Sequence, residues 1–247
     1  MGVLISNGNL LTVGGKLATA KSAPTTPYME VEYVVVNDGF GSTNHYIKRA
    51  KLYNHTAIYA HEFAWQNQLQ NLDFSDASNN ITVIEELAFE SAQVNGLVLP
   101  NTISALHRLC FNGAYIATLV VPPLVTVLPE GTFSYINPVY NNETWEELPI
   151  NIILPQNLAK IDSTCFEGAP IKQITIPDKV TEIGYGAFSD CYQLSSITCL
   201  AATPPVLGAG AFSSETAGFT IKVPAASVAA YKAADGWKDY ASYIVAM

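Results

Sequence analysis

The chain has 247 residues, of which 49% are hydrophobic and 13% are charged, and its formal net charge is −9. This apolar content excludes a disordered chain, and no apolar run approaches the roughly 18 residues of a membrane-spanning helix, so membrane insertion is not expected. A protein that neutralises phosphates should be basic, so nucleic acid is excluded as the principal partner.

The first elements in chain order are predicted to be strands. Residues 1–27 are interpreted as a hairpin followed by a linker, because Asn7-Gly8-Asn9 breaks the apolar run. A secretory signal needs an unbroken apolar core, so no export signal is expected and the compartment stays open. Residues 28–54 are interpreted as an N-terminal β cap, in which the alternating residues 28–37 form a strand and 39–44 a turn.

A repeated pattern occupies residues 55–224. Each copy has an aliphatic residue, four further residues and a phenylalanine, which is usually preceded by a small residue and in the first copy by Glu62. The seven copies are 58–63, 84–89, 106–111, 128–133, 161–166, 183–188 and 207–212. Self-similarity at a period near 22 residues is typical of repeat architectures, so this pattern decides the fold.

A second block follows each phenylalanine, with aliphatic residues at alternate positions and often a closing proline, as in residues 171–177. The alternation predicts a short strand, and proline ends it because it has no N–H to donate. The segment before the phenylalanine is too short for a helix and predicts a turn, a 3₁₀ segment or one helical turn. Such a unit cannot bury its own apolar residues, so stacked copies are expected to form a solenoid.

Residues 171–191, IKQITIPDKVTEIGYGAFSDC, resemble the unit of the BspA-like leucine-rich repeat family of bacteria (Bacteroides type). Residues 223–240 resemble the closing segment of bacterial members, which predicts a short helical C-terminal cap over 225–247, with Trp237 covering the last turn. The resemblance implies an α/β repeat solenoid: a right-handed coil with a parallel β-sheet on one face and short turns, 3₁₀ or helical pieces on the other.

The strand face contains the candidate binding residues. Side chains next to the buried aliphatic residues must point outward, and in one row these are Val98, Val120 and Ile153, followed by Thr175. A contiguous exposed apolar strip often marks a protein-binding surface. Scattered exposed valine and isoleucine are also normal in strands, so both interpretations stay open.

An 11-residue insertion near 137–147 stretches the unit after Phe133. It carries Tyr140 and Trp145 in a polar loop. These aromatic residues either bind a partner, because loops project from a rigid scaffold, or cover the edge of the solenoid.

No catalytic motif is present, and no catalytic, cofactor-binding or metal-binding residue is predicted. The cysteines at 110, 165, 191 and 199 are expected to be small buried residues. Cys110 and Cys165 lie two units apart, beyond disulfide reach. The histidines at 45, 55, 61 and 107 are scattered and are expected at the surface or in caps.

The leading hypothesis is a non-catalytic recognition or adhesion-type protein that binds another protein of a host or cell surface. The resemblance implies this role and an extracellular or cell-surface location. Carbohydrate binding is the alternative, motivated by the aromatic loop, and a phage or other structural protein is a further one. A monomer is the default expectation.

Overall fold

The structure is a computed structural model that describes residues 3–6, 9–11, 26–37, 43–94, 97–140, 147, 150–212 and 218–247. It is a parallel β-solenoid of about eight turns, which confirms the expected repeat coil. Residues 21–25 of the predicted linker, which spans 21–27, and most of the predicted turn at 39–44 lie outside the described residues. The proposed domain boundaries at residues 27, 54 and 224 stay predictions.

The N-terminal strands form a β-rich cap that continues into the solenoid. Its strands are β1 (Val3–Ser6), β2 (Asn9–Leu11), β3 (Tyr28–Asn37) and β4 (Thr43–Tyr53). They pair antiparallel in the order β2-β1-β3-β4. The alternation predicted for β3 places Met29 and Val31 in the core and leaves Glu30 and Glu32 exposed.

One face of the coil, here called the long-strand face, carries strands of three or four residues. They are β6 (Asn71–Asp73), β9 (Thr118–Val120), β11 (Asn151–Ile153), β13 (Gln173–Ile176), β15 (Ser196–Cys199), β17 (Thr220–Val223) and β18 (Ile244–Ala246). Strand β4 of the cap pairs in parallel with β6, so the cap provides the first strand of this face. Parallel pairing also joins β9 to β11 and links β13, β15, β17 and β18.

Two further parallel ladders, of three and four strands, form a second face, the short-strand face. Its two-residue strands are β5 (Ala57–Ile58), β7 (Val83–Ile84), β8 (Ala105–Leu106), β10 (Val127–Leu128), β12 (Lys160–Ile161), β14 (Glu182–Ile183) and β16 (Val206–Leu207). The sequence pattern predicted the turns that follow these strands but not the strands themselves. They form because, within each ladder, a unit's aliphatic residue is aligned with the same residue of the next unit.

The seven phenylalanines form one buried column between the two faces. Neighbouring rings are stacked with centroids 5.0–5.7 Å apart. Phe133 and Phe166 stack at 5.3 Å although the insertion separates them in the sequence, so the column continues across it. The small residues before the six later rings, such as Ala88 and Cys110, are fully buried and pack closely beside the column.

The backbone conformation of the turns also repeats from unit to unit. The residue two positions before each phenylalanine has a φ between 50° and 64°, whether it is Gly186, Leu109 or Thr164. This left-handed conformation is costly for residues other than glycine, so the stack imposes it. Each phenylalanine N–H before the last unit donates to the carbonyl of the residue preceding the next ring, at 2.7–3.1 Å.

The C-terminal segment covers the last turn, as the sequence predicted. A 3₁₀ turn (Ala225–Ser227) leads into helix α1 (Val228–Ala233), and a second 3₁₀ turn spans Trp237–Tyr240. Trp237 is fully buried against Tyr231, and its indole N–H donates to the Pro205 carbonyl at 2.7 Å. Gly236 separates the helix from the second turn with a φ of +78°.

Candidate functional site

The long-strand face displays an exposed aliphatic strip. Val120 and Ile153 are direct partners in the register of β9 and β11, with exposed fractions of 54% and 45%. Val98 occupies the position in its unit that Val120 occupies in the next, and 81% of its surface is exposed. Three successive turns therefore present branched aliphatic side chains to solvent. We call Val98, Val120 and Ile153 the apolar strip.

The row that contains the apolar strip becomes polar further along the solenoid. Thr175 of β13 is exposed and pairs with Thr198 of β15, which in turn pairs with Lys222 of β17. The sequence-predicted set therefore has two chemistries on this face, because Thr175 offers a hydroxyl where the three earlier residues offer methyl groups.

A second outward row runs beside the first and carries only amides and hydroxyls. Its members on the strands after the cap are Asn71, Thr118, Asn151, Gln173, Ser196 and Thr220. The outward positions of both rows from β9 to β17 carry no charge until Lys222, although the chain has a net charge of −9.

Charged residues are concentrated on the same face where the cap joins the solenoid. Arg49 and Lys51 of β4 stand beside Asn71 and Asp73 of β6. Glu32 accepts ion pairs from Lys48 at 3.4 Å and from Arg49 at 3.8 Å. These side chains are exposed, so their pairing energy is small and they remain available to a partner.

In the insertion, Tyr140 is 51% exposed and forms an antiparallel bridge with Glu147. A Glu147 carboxylate oxygen accepts a hydrogen bond from the Gln193 amide at 3.5 Å, two units further along the coil. The base of the insertion therefore extends along the side of the solenoid. Trp145 lies outside the described residues.

The cysteines are buried and unpaired, as the sequence predicted. Burial raises the pKa of the Cys191 thiol to about 12 and raises the pKa values of Cys110, Cys165 and Cys199 as well. A reactive cysteine needs a lowered pKa and access to solvent, so the four thiols lack the properties of nucleophiles.

The histidines are not all at the surface. His45 and His107 are exposed, whereas His55 is 1% exposed at the junction between the cap and the first unit. Its ring nitrogens contact the Tyr53 carbonyl at 3.0 Å and a Glu62 carboxylate oxygen at 2.8 Å. The second Glu62 oxygen accepts the Tyr59 backbone N–H at 2.8 Å, which explains why this unit has a glutamate before its phenylalanine.

Exposed aromatic residues that sequence reasoning did not single out lie on the turns. Trp65, Tyr135, Tyr185 and Tyr192 are each more than half exposed. Trp65 and Tyr135 both lie two residues after a phenylalanine, but other units have serine, glycine or aspartate there, so no repeated aromatic signal marks them. Within the described ranges, no group of three or more His, Cys, Asp and Glu side chains is placed to hold a metal ion. No helix in the described part of the chain is long and apolar enough to cross a membrane.

Comparison with known proteins is consistent with the repeat. A family model described as "BspA type Leucine rich repeat region" matches residues 56–151 and 148–227, with six copies. No curated protein matches the chain. A leucine rich cell surface protein from Faecalibacterium prausnitzii A2-165 is 26% identical over 58% of this chain, with a TM-score of 0.45. The pneumococcal vaccine antigen PcpA is 15% identical over 76% of it, with a TM-score of 0.29. The chain spans 36% and 63% of the lengths of these two proteins.

Proposed function

The chain belongs to the BspA-type leucine-rich repeat family, and on that premise we propose that it is a non-catalytic recognition protein that binds another protein through its long-strand face. The observation that carries this proposal is the apolar strip. Its three members come from successive turns, and Val120 is paired directly with Ile153. Methyl groups exposed on a rigid scaffold lose no backbone freedom when a partner covers them, which favours binding.

The surroundings of the strip support a protein as the partner. The cap end of the face supplies the charged groups Arg49, Lys51 and Asp73, and the far end supplies Thr175. An apolar centre with a polar and charged rim is the usual arrangement of a protein interface, in which the centre provides affinity and the rim provides orientation. Tyr140 and Trp145 of the insertion are proposed as additional contacts at the side of this surface.

The proposed setting is extracellular or cell-surface, where an adhesion-type protein meets a host or cell-surface protein. This location is supported by the family to which the chain belongs. The buried thiols and the uncharged outward positions from β9 to β15 support a role without catalysis.

Affinity capture from the native environment, followed by mass spectrometry, tests the proposal. The wild-type chain is compared with Val120→Glu, which places a charge in the middle of the strip. Val206→Glu is the matched control, because Val206 is a 71% exposed valine on the short-strand face. We expect the wild-type chain to capture a specific protein partner. The amount captured should fall at least about tenfold with Val120→Glu, since an unpaired charge buried in an interface is costly, and should be unchanged with Val206→Glu. Capture of the same partner by both variants, or of no partner at all, contradicts the proposal.

A further inference from the structure

The long-strand face has an interruption between β11 and β13, two strands that lie on successive turns but belong to separate sheets. A depression of about 310 Å³ lies at this interruption. Small-molecule sites in proteins usually begin near 300 Å³, so the depression is large enough for one. Its lining includes Asn151, Ile153, Gln156, Gln173, Thr175 and Thr198.

The lining is polar but contains no ionisable side chain. It offers three carboxamides and two hydroxyls, together with aliphatic groups from Ile152, Leu154 and Ile174 below them. In an acidic chain, an ion-binding surface would be expected to carry compensating charges, and none is present here. We propose that this depression binds a neutral sugar unit of a glycan.

The geometry of the amide groups fits hydroxyl pairs. Asn151 and Gln173 occupy the same outward row on successive turns, and both line the depression. Each carboxamide presents a donor and an acceptor side by side, and a pair of adjacent sugar hydroxyls presents the complementary acceptor and donor. The hydroxyls of Thr175 and Thr198, which are register partners, supply further donors and acceptors at the same place.

Apolar contact comes from Ile153, which is 45% exposed at the edge of the depression. The C–H face of a pyranose ring is apolar, so an aliphatic wall on one side and amides on the other match its two kinds of surface. A charged ligand finds no partner here, because the lining cannot neutralise it. A peptide side chain would bury the amides of Asn151, Gln156 and Gln173 without pairing all of their donors and acceptors.

The proposed glycan site overlaps the proposed protein-binding surface but depends on different side chains. It shares Ile153 and Thr175 with the set discussed above, but its specific groups are the amides Asn151 and Gln173. The two proposals are therefore distinguished by different variants: Val120→Glu should retain glycan binding, and Gln173→Ala should retain the protein partner.

The test measures binding of the intact chain to a panel of immobilised neutral oligosaccharides (glucans, galactans and chitin oligomers), with uronic acid and sulfated oligosaccharides alongside. Asn151→Ala and Gln173→Ala are compared with Asn101→Ala, which removes an exposed amide from a turn. Thermal unfolding verifies that each variant is folded. We expect at least one neutral glycan to bind, with affinity reduced at least about tenfold in the two depression variants and unchanged in Asn101→Ala.

Three outcomes overturn the proposal. The first is no binding to any neutral glycan on the panel. The second is equal affinity of the wild-type chain and the two depression variants. The third is a preference for the acidic oligosaccharides.

Discussion

The rings of Phe89 and Phe111 are stacked with their centroids 5.1 Å apart and their planes inclined by 1°. The N–H of Phe89 also donates to the carbonyl of Cys110, at 2.8 Å. Two successive units are therefore joined by a side-chain contact and a backbone hydrogen bond at the same position. Each unit depends on its neighbours for burial, as expected for a solenoid.

Removing one ring from the middle of the column should strongly destabilise the fold. We expect Phe111→Ala to lower the free energy of unfolding by about 3–5 kcal/mol, because it leaves a cavity between Phe89 and Phe133. Urea unfolding measures the change. Leu124→Ala is the control, since Leu124 is 53% exposed and its loss should cost about 0.5 kcal/mol or less. Equal stabilities of the two variants would show that the column is not a shared core.

The contact between Glu62 and His55 should stabilise the junction of the cap and the first unit. Glu62→Ala leaves a buried imidazole nitrogen and the Tyr59 N–H without their carboxylate acceptor. We expect a loss of about 1–3 kcal/mol in thermal or urea unfolding. Glu86→Ala serves as the control, because its pair with Arg108 is exposed and should contribute less than about 1 kcal/mol. The interpretation fails if Glu86→Ala is the more destabilising variant.

Gly184 is required because two turns approach each other closely. A Cβ at this position would lie 2.5 Å from the backbone nitrogen of Ser163 in the preceding turn. We expect Gly184→Ala to cost about 1–3 kcal/mol or more, since backbone cannot move aside as a flexible side chain can. A Cβ at Gly210 would have no atom within 4 Å. Gly210→Ala should therefore lower the free energy of unfolding only by the penalty of a φ of +64°, about 1–2 kcal/mol. A Gly184→Ala protein as stable as the wild type would contradict this packing.

The buried thiols should be unreactive in the folded protein. At pH 8, a thiol reagent such as DTNB should label none of the four cysteines in the native chain and all four after unfolding. Rapid labelling of the native chain would contradict their burial.

The same burial gives a pH dependence of stability. The pKa of Cys191 is raised in the fold from its ordinary value of 9.0 to about 12, so folding favours the protonated thiol. The contribution of this thiol to the free energy of unfolding is fully present below pH 9. It is lost as the pH rises from 9 toward 12, because the unfolded chain releases the proton first. Urea unfolding should therefore show stability falling across this range, and Cys191→Ala should reduce the fall.

Much of the fold follows from the sequence because every unit repeats the same physical requirement. The period of the phenylalanines predicted the column, and the alternation around Ile174 and Ile197 predicted which residues face outward. The strip residues Val98, Val120 and Ile153 are exposed as the alternation requires. That they bind a partner stays a prediction.

Other features depend on contacts that no local pattern encodes. The two-residue strands on the short-strand face arise from alignment between units, and a pair such as Val83–Ile84 is too short to give a periodic signal. His55 is buried because Glu62 turns toward it from the first unit, a contact made across the junction with the cap. The depression beside Gln173 depends on where the paired strands are interrupted, which a repeat pattern cannot show.

The central claim is that the units stack in register and align their outward residues in straight rows. Distances between spin labels along one row test it most directly. Thr118→Cys is paired in turn with Asn151→Cys, Gln173→Cys, Ser196→Cys and Thr220→Cys, while the native thiols stay buried. The separation should increase by about 5 Å with each further turn, the spacing of neighbouring strands. Separations that do not increase in this order would contradict the stacked rows, and with them both proposed binding surfaces.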